Sequence, residues 1–322
     1  MSLRTPFTEL FGIEIPVLQA PVWPAASADL VAAVGAAGAM GSIAGVFSRA
    51  DALLAQIARV RGLSDRPFVV NHLVPSLDED AFAATLGARP AAVSFALGHP
   101  GELVARAHEA GVKVIHQVHT LAQALEVSDL GIDVFVAQGS EAGGQGMAAG
   151  VSTMALVPQV ADAVAPAPVL AAGGVADGRG LAAALTLGAA GVNVGTRFLA
   201  SAEASATQAW KEQIVAARAE DCVRFDAWSA IMPRSPGYAV VPRVIRTDFV
   251  EQWQGRLADA GEQADDLRAQ IMQTGRERRP ALTPFTGQTA GLVGEVLPAG
   301  EIVRRMAHDA CTALRDGAGC CG

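Results

Sequence analysis

The sequence has little charge. Asp, Glu, Lys and Arg make up 17% of its 322 residues, the formal net charge is −8, and no Lys/Arg-rich run is present. Nucleic-acid binding needs a basic footprint, so that class is excluded, and an anionic ligand has to be held by local groups. Cysteine is scarce as well: Cys222, Cys311, Cys320 and Cys321 contain no CxxC and no zinc-type spacing with histidine. Neither a disulfide framework nor a metal site is expected, and the pair Cys320-Cys321 reads as two reduced thiols on a glycine-flanked tail. Residues 1–6 lack the apolar h-region of a leader, which predicts a cytoplasmic protein. The uncharged stretch 30–47 approaches bilayer length, but Gly35, Gly38, Gly41 and Gly45 divide it into a helix and a short strand, so no membrane span is expected. A dinucleotide-binding fingerprint is missing too, because Gly35, Gly38 and Gly41 have the wrong spacing.

What the chain does have is apolar content, 51% of residues, enough for a large core. From 15 to 201 it alternates strand and helix patterns in units of roughly twenty-five residues. The expected strands are 16–20, 40–44, 67–73, 91–97, 113–118, 134–138, 168–172 and 191–194. The expected helices are 27–37, 51–61, 78–86, 101–110, 121–129, 153–164 and 178–187, with Ser27 and Ser152 as caps and Gly111, Gly131 and Gly188 at helix ends. Eight βα units in succession predict an α/β fold, a (β/α)8 TIM barrel, over a doubly wound sheet. Past residue 201 the pattern turns helical and more charged, without clear strands: 204–219 and 249–273, separated by the Pro/Gly-rich 233–242. The division expected is a barrel over 1–203, an appended or inserted helical cap over 204–290, and a segment 291–322 whose helix, 299–314, returns to the barrel wall. The aromatic residues Trp210, Phe225, Trp228, Tyr238, Phe249 and Trp253 read as core of that cap.

Two apolar runs end in glycine, at Gly173-Gly174 and at Gly195-Thr196. A residue without Cβ lets backbone N–H groups approach a phosphate, and a following helix N-terminus adds positive potential. Loops after barrel strands seven and eight commonly hold a phosphate, so a phosphorylated cofactor is expected there. Gln138 ends the sixth strand and offers a carboxamide to a heteroaromatic edge, whereas Glu141 reads as a buried anchor for loop N–H groups. Alternation turns Asn71 to the barrel mouth and His72 away from it. It likewise groups Ile115, Gln117 and His119 on one face and His116 on the other. His119 and His99, near strand ends, are candidates for substrate contact, and Trp23 lies at the mouth.

The segments Gln19-Ala20-Pro21, 68–71, 93–95, 137–144, 171–175 and 195–198 together resemble the nitronate monooxygenase family, formerly called 2-nitropropane dioxygenases. The likeness continues through 287–292 and 298–303. It implies a barrel that binds FMN non-covalently. Gly173, Gly174, Gly195 and Thr196 match the phosphate turns, Asn71, Gln117 and Gln138 match contacts to the ring or ribityl chain, and Ala20, Pro21, Gly143 and Gly144 lie in the matching cofactor segments. One departure stands out, since Gln145 occupies the loop position at which the family carries a histidine that acts as base or orients substrate. Glutamine cannot titrate, which predicts oxidation of preformed nitronates with O2, Gln145 orienting the substrate. The alternatives are an NAD(P)H-dependent reductase of an enoyl thioester, quinone or specialised metabolite, with NAD(P)H docking transiently, and a flavin-binding protein with little catalysis. A phosphate ester in place of FMN is a further alternative. The substrate is a small molecule in each case, and an oligomer is compatible with all of them.

Overall fold

A computed structural model describes residues 3–147, 150–232, 240–275 and 278–320. Eight parallel strands form one sheet: β1 (Val17–Gln19), β2 (Gly41–Ala44), β3 (Phe68–Leu73), β4 (Ala92–Ala96), β5 (Lys113–Val118), β6 (Val134–Gln138), β7 (Val169–Ala172) and β8 (Gly191–Val194). Their order is β1-β8-β7-β6-β5-β4-β3-β2. The seam between β1 and β2 closes through a Leu18–Met40 bridge, with the Gln19 N–H donating to the Met40 carbonyl at 2.8 Å. The Gln19 side chain reinforces it by accepting the Ser42 N–H at 3.0 Å. Closure removes the free edges that a doubly wound sheet would show. Each expected strand agrees with the observed one to within a residue at either end.

Alternation along the strands sorts inside from outside. On β3, Val69 joins Leu18, Met40, Ile115 and Leu170 inside the barrel, and Val70 packs outside with Ile43, Leu53 and Ile57. The helix Pro6–Phe11 plugs the N-terminal end through Phe7, which is fully buried in the interior cluster. This leaves the C-terminal mouth as the open end, where inward side chains at strand ends are free for chemistry.

The helix following β8 is only four residues long, Thr196–Leu199. The helix Ala299–Ala318 packs against Gly178–Thr186 and Ala28–Ala36 and so covers the wall that an eighth barrel helix would cover. The chain between them is therefore an insertion. It contains a strand pair that the sequence reading missed, β9 (Cys222–Arg224) antiparallel to β10 (Arg243–Ile245). Three-residue strands carry too little alternation to be read locally. The single helix expected over 249–273 is three, Asp248–Trp253, Leu257–Glu262 and Ala264–Gln273, with the chain turning at Gly255, φ +76°, and breaking again at Gln263. Phe225, Trp228, Phe249 and Trp253 form the core of this insertion, as expected, and Trp210 joins a second cluster. Tyr238, Cys321 and most of the Pro/Gly-rich segment lie outside the described residues. Burial pushes the Cys222 thiol up to about 11. Among the described residues no helix is long and apolar enough to cross a membrane.

Three histidines are buried with little compensation. Burial pushes His72, beside the Thr85 hydroxyl at 3.0 Å, down to about 4, and His116 to about 3. His119 is pushed to about 4, against small opposing contributions from Gln123 and the Gln145 backbone. Each ring stays neutral in the folded chain while the unfolded chain takes up a proton near pH 6.5. Stability is therefore fully present above pH 6.5 and falls as pH drops towards 4. The expected slope is at most about 1.4 kcal/mol per pH unit for each histidine. Thermal melts between pH 7.5 and 4.5 test this, and a Tm that stays level across that window would contradict it.

Candidate active site

The mouth of the barrel holds a cavity of about 200 Å³. Strand ends supply its polar groups, all of them carboxamides or hydroxyls. From β3 comes Asn71, whose amide nitrogen donates to the Ser94 hydroxyl at 3.0 Å and carbonyl at 3.2 Å, leaving its own oxygen as an acceptor. From β6 comes Gln138, whose nitrogen donates to the Gln145 carbonyl at 3.0 Å. Gln117 of β5 stands 3.4 Å from the His119 ring, measured between Nε2 atoms. Asn193 of β8 and Gln145 also line the cavity, and Asn193 Oδ1 and Gln145 Oε1 are buried without a partner. Such orphaned acceptors cost free energy unless a ligand donates to them. Ala20, Pro21, Gly143, Gly144, Gly173, Gly195 and Thr196 line the same space, and Gly174, the next residue after Gly173, does not line it.

The glycine bends are built as close approaches. Gly173 and Gly174 have φ +93° and +76°. A Cβ on Gly173 would stand 2.8 Å from the Ala142 nitrogen and 3.1 Å from the Gly139 oxygen. Gly195 opens the four-residue helix, and the Thr196 hydroxyl accepts the Gly287 N–H at 2.9 Å. Among the described residues no acceptor meets the backbone N–H groups of Gly174, Gly195 and Thr196. The expected help from a helix N-terminus after β7 does not materialise, because the Asp177 carboxylate caps that helix through the Arg179 and Gly180 N–H groups. The groups that these bends offer to an anion are backbone donors.

The loop after β6 is clamped by the insertion. Both Glu141 carboxylate oxygens accept the Thr153 N–H, at 3.0 and 2.9 Å, and one accepts its hydroxyl at 3.1 Å. Glu141 thus satisfies the start of helix Thr153–Val164, a role that Ser152 does not perform with its side chain. On the other side the Gly144 and Gly146 carbonyls accept N–H groups of Arg243 and Val241, at 2.9 and 2.8 Å. The buried Arg243 guanidinium binds the Ser140 carbonyl at 2.7 Å and the Cys222 carbonyl at 2.6 Å, and Arg224 holds the Met147 carbonyl. Gly143 and Gly287 are interchangeable with no larger residue, since a Cβ on Gly143 would meet the Gly287 nitrogen at 2.3 Å. Gln145 is held through its neighbours Gly144 and Gly146, whose partners lie about a hundred residues away, and through its own carbonyl by Gln138.

The histidines stand apart from this cavity. His119 is 2% exposed and lies behind Gln117 and Gln138, against the Gln145 backbone, with Nδ1 unpartnered. His99 is exposed after β4, its ring accepting the Gly101 N–H at 3.2 Å. Neither lines the cavity, so direct contact of these two rings with a ligand there is not what the geometry provides. His72 and His116 face outward from the barrel interior, as alternation predicts. In fact no Asp, Glu, Lys, Arg or His side chain lines the cavity among the described residues. Trp23 does line it, together with Phe47, Leu97, Asn193 and Phe285, which the sequence reading had not assigned. For Asn193 a signal existed, since it stands between the outward Val192 and Val194.

The profile of the family described as nitronate monooxygenase matches residues 4–86 and 78–309. A Mycobacterium tuberculosis protein named (3aS,4S,5R,7aS)-5-hydroxy-7a-methyl-1-oxo-octahydro-1H-indene-4-carboxyl-CoA dehydrogenase is 38% identical, over 87% of this chain and 75% of its own. Nitronate monooxygenase of Pseudomonas aeruginosa is 34% identical, over 78% of this chain and 93% of its own. The solved structure of FabK from Thermotoga maritima superimposes with a TM-score of 0.88 at 33% identity, covering 99% of both chains. A barrel with glycine-bend backbone donors and a carboxamide-lined mouth thus sits on a sequence shared with redox enzymes, and the chain is an oxidoreductase of the nitronate monooxygenase family.

Proposed function

We propose that the cavity binds FMN and that the loaded protein oxidises preformed nitronates with O2. The observation that carries this reading is the lack of any ionisable side chain in the cavity wall among the described residues. Removing a carbon-bound proton needs a group that titrates near working pH, and none is positioned to do so. A nitronate has already lost that proton. FMN, when bound, supplies electron acceptance from the nitronate and reactivity towards dioxygen.

The residues present fit the cofactor. The unpartnered N–H groups at Gly174, Gly195 and Thr196 would receive its phosphate. The carbonyl oxygens of Asn71, Gln138 and Asn193 would accept from ribityl hydroxyls or the ring N–H, and Ala20, Pro21, Gly143 and Gly144 would border the ring. Gln145, standing where the family resemblance places a histidine, would donate its amide N–H to the nitro oxygens and orient them. In this reading 1–203 forms the flavin barrel, 204–290 covers its mouth and excludes water, and 291–322 returns to the wall.

A second reading, an NAD(P)H-dependent reductase or a thioester dehydrogenase, is favoured by the relative whose name ends in carboxyl-CoA dehydrogenase. Anaerobic mixing of the yellow holoprotein separates the two. Propane-2-nitronate is expected to bleach the flavin within a single turnover while NADH and NADPH leave it oxidised. The reverse pattern selects the second reading, and a flavin that no donor reduces selects a weakly catalytic carrier.

A further inference from the structure

Among the described residues three non-glycine positions have left-handed backbones: Phe47 at φ +58°, Arg89 at +49° and Leu97 at +61°. Arg89 closes the helix Glu79–Ala88, a common place for that conformation. The other two are different. Phe47 follows β2, Leu97 follows β4, and both line the cavity at the barrel mouth. A bulky side chain at positive φ is an outlier, and such outliers collect where a ligand is gripped.

Phe47 is also 70% exposed, which no other phenylalanine or tryptophan of the described residues approaches. Its ring meets Trp23 edge to face, with centroids 5.3 Å apart. Trp23, Val46 and Leu73 pack as one apolar cluster, and Leu73 joins Leu97, Ala96 and Val240 in a second. Leu73 belongs to both, so Trp23, Phe47, Val46, Leu73 and Leu97 make one continuous apolar wall along the cavity.

We infer that this wall receives the hydrocarbon tail of the substrate, and that Phe47, the member with the most open surface, selects long-chain over short-chain nitronates. The chemistry of the head group rests on the nitronate reading above, whereas the tail preference is a property of the wall alone. Exposed aromatic surface held beside a cavity gains most by covering hydrocarbon, at about fourfold in affinity for each methylene removed from water.

The test uses two homologous series on the purified holoprotein. Turnover is measured with preformed 1-nitronates from nitroethane to nitrohexane, and binding of ethanoate to hexanoate, non-reacting isosteres, is measured by calorimetry. In the native protein kcat/KM and affinity are expected to rise about three- to fourfold per methylene. Phe47→Asn removes the exposed hydrocarbon while placing a residue that tolerates left-handed backbone, whereas Leu97, 1% exposed and packed with Ala96 and Val240, is left in place because an asparagine there would bury an unpartnered amide. The variant is expected to melt at least as high as the native protein and to show less than about twofold per methylene. A flat native series, no binding by any alkanoate, or an unchanged slope in the variant would overturn the inference. A steep alkanoate slope with no nitronate oxidised at all would support the wall assignment and sink the nitronate reading.

Discussion

Gly173→Ala is expected to purify colourless, with flavin affinity reduced by about 100-fold or more. The native backbone there has φ +93°, and an added methyl carbon would stand 2.8 Å from the Ala142 nitrogen and 3.1 Å from the Gly139 oxygen. Both obstructing atoms are backbone, so neither can swing aside. Left-handed conformation costs an L residue about 1–2 kcal/mol, and displacing the loop adds to it. A total near 3 kcal/mol corresponds to about 100-fold in affinity. Gly174→Ala is the control: its φ is +76°, but the nearest atom to a new Cβ is 3.9 Å away. It should lose only the conformational share, roughly tenfold. Flavin titration monitored by fluorescence, together with thermal melts of the flavin-free variants, distinguishes weakened binding from unfolding. Equal flavin affinity in the two variants would refute the role given to the Gly139–Ala142 approach.

Gln145→His is expected to gain activity on neutral nitroalkanes. On a neutral nitroalkane at pH 8 the expected gain in kcat/KM is about 10²- to 10⁴-fold, the range contributed by a positioned base. Among the described residues only neutral side chains line the native cavity, and His119 behind it is pushed down to about 4. Native activity on preformed nitronate is therefore expected to be level from pH 6 to 9. A base must be neutral to accept a proton, so the variant's nitroalkane rate should rise as pH increases through about 6.5 and then level off. Native turnover of neutral nitroalkane at the nitronate rate would remove the basis for this expectation.

Much of the mouth was legible in consecutive residues. Apolar runs ending in glycine located β7 and β8, and period-two alternation turned Asn71 and Gln117 inward while sending His72 and His116 out. The same rule, applied to β8, would have found Asn193. Glu141 was readable as an anchor because a lone carboxylate in an apolar loop needs donors. The placements of His99 and His119 were not readable, since both lie beyond strand ends where alternation no longer binds the side chain to a face. Nor were β9 and β10, whose three residues each pair across a gap in sequence, or the strained backbones of Phe47 and Leu97, which ordinary apolar residues gave no reason to suspect.

What the sequence alone determined is the barrel, its strands and its glycine bends, because sterics at a residue without Cβ and alternation along a strand act between near neighbours. What only the tertiary structure decided is how the site is completed: that among the described residues no titrating side chain joins the inward carboxamides, and how the β6 loop is held. Arg243 grips Ser140 from 103 residues away. Such a pairing exists only once burial of the insertion's own core has brought the two segments together, and no local pattern encodes it.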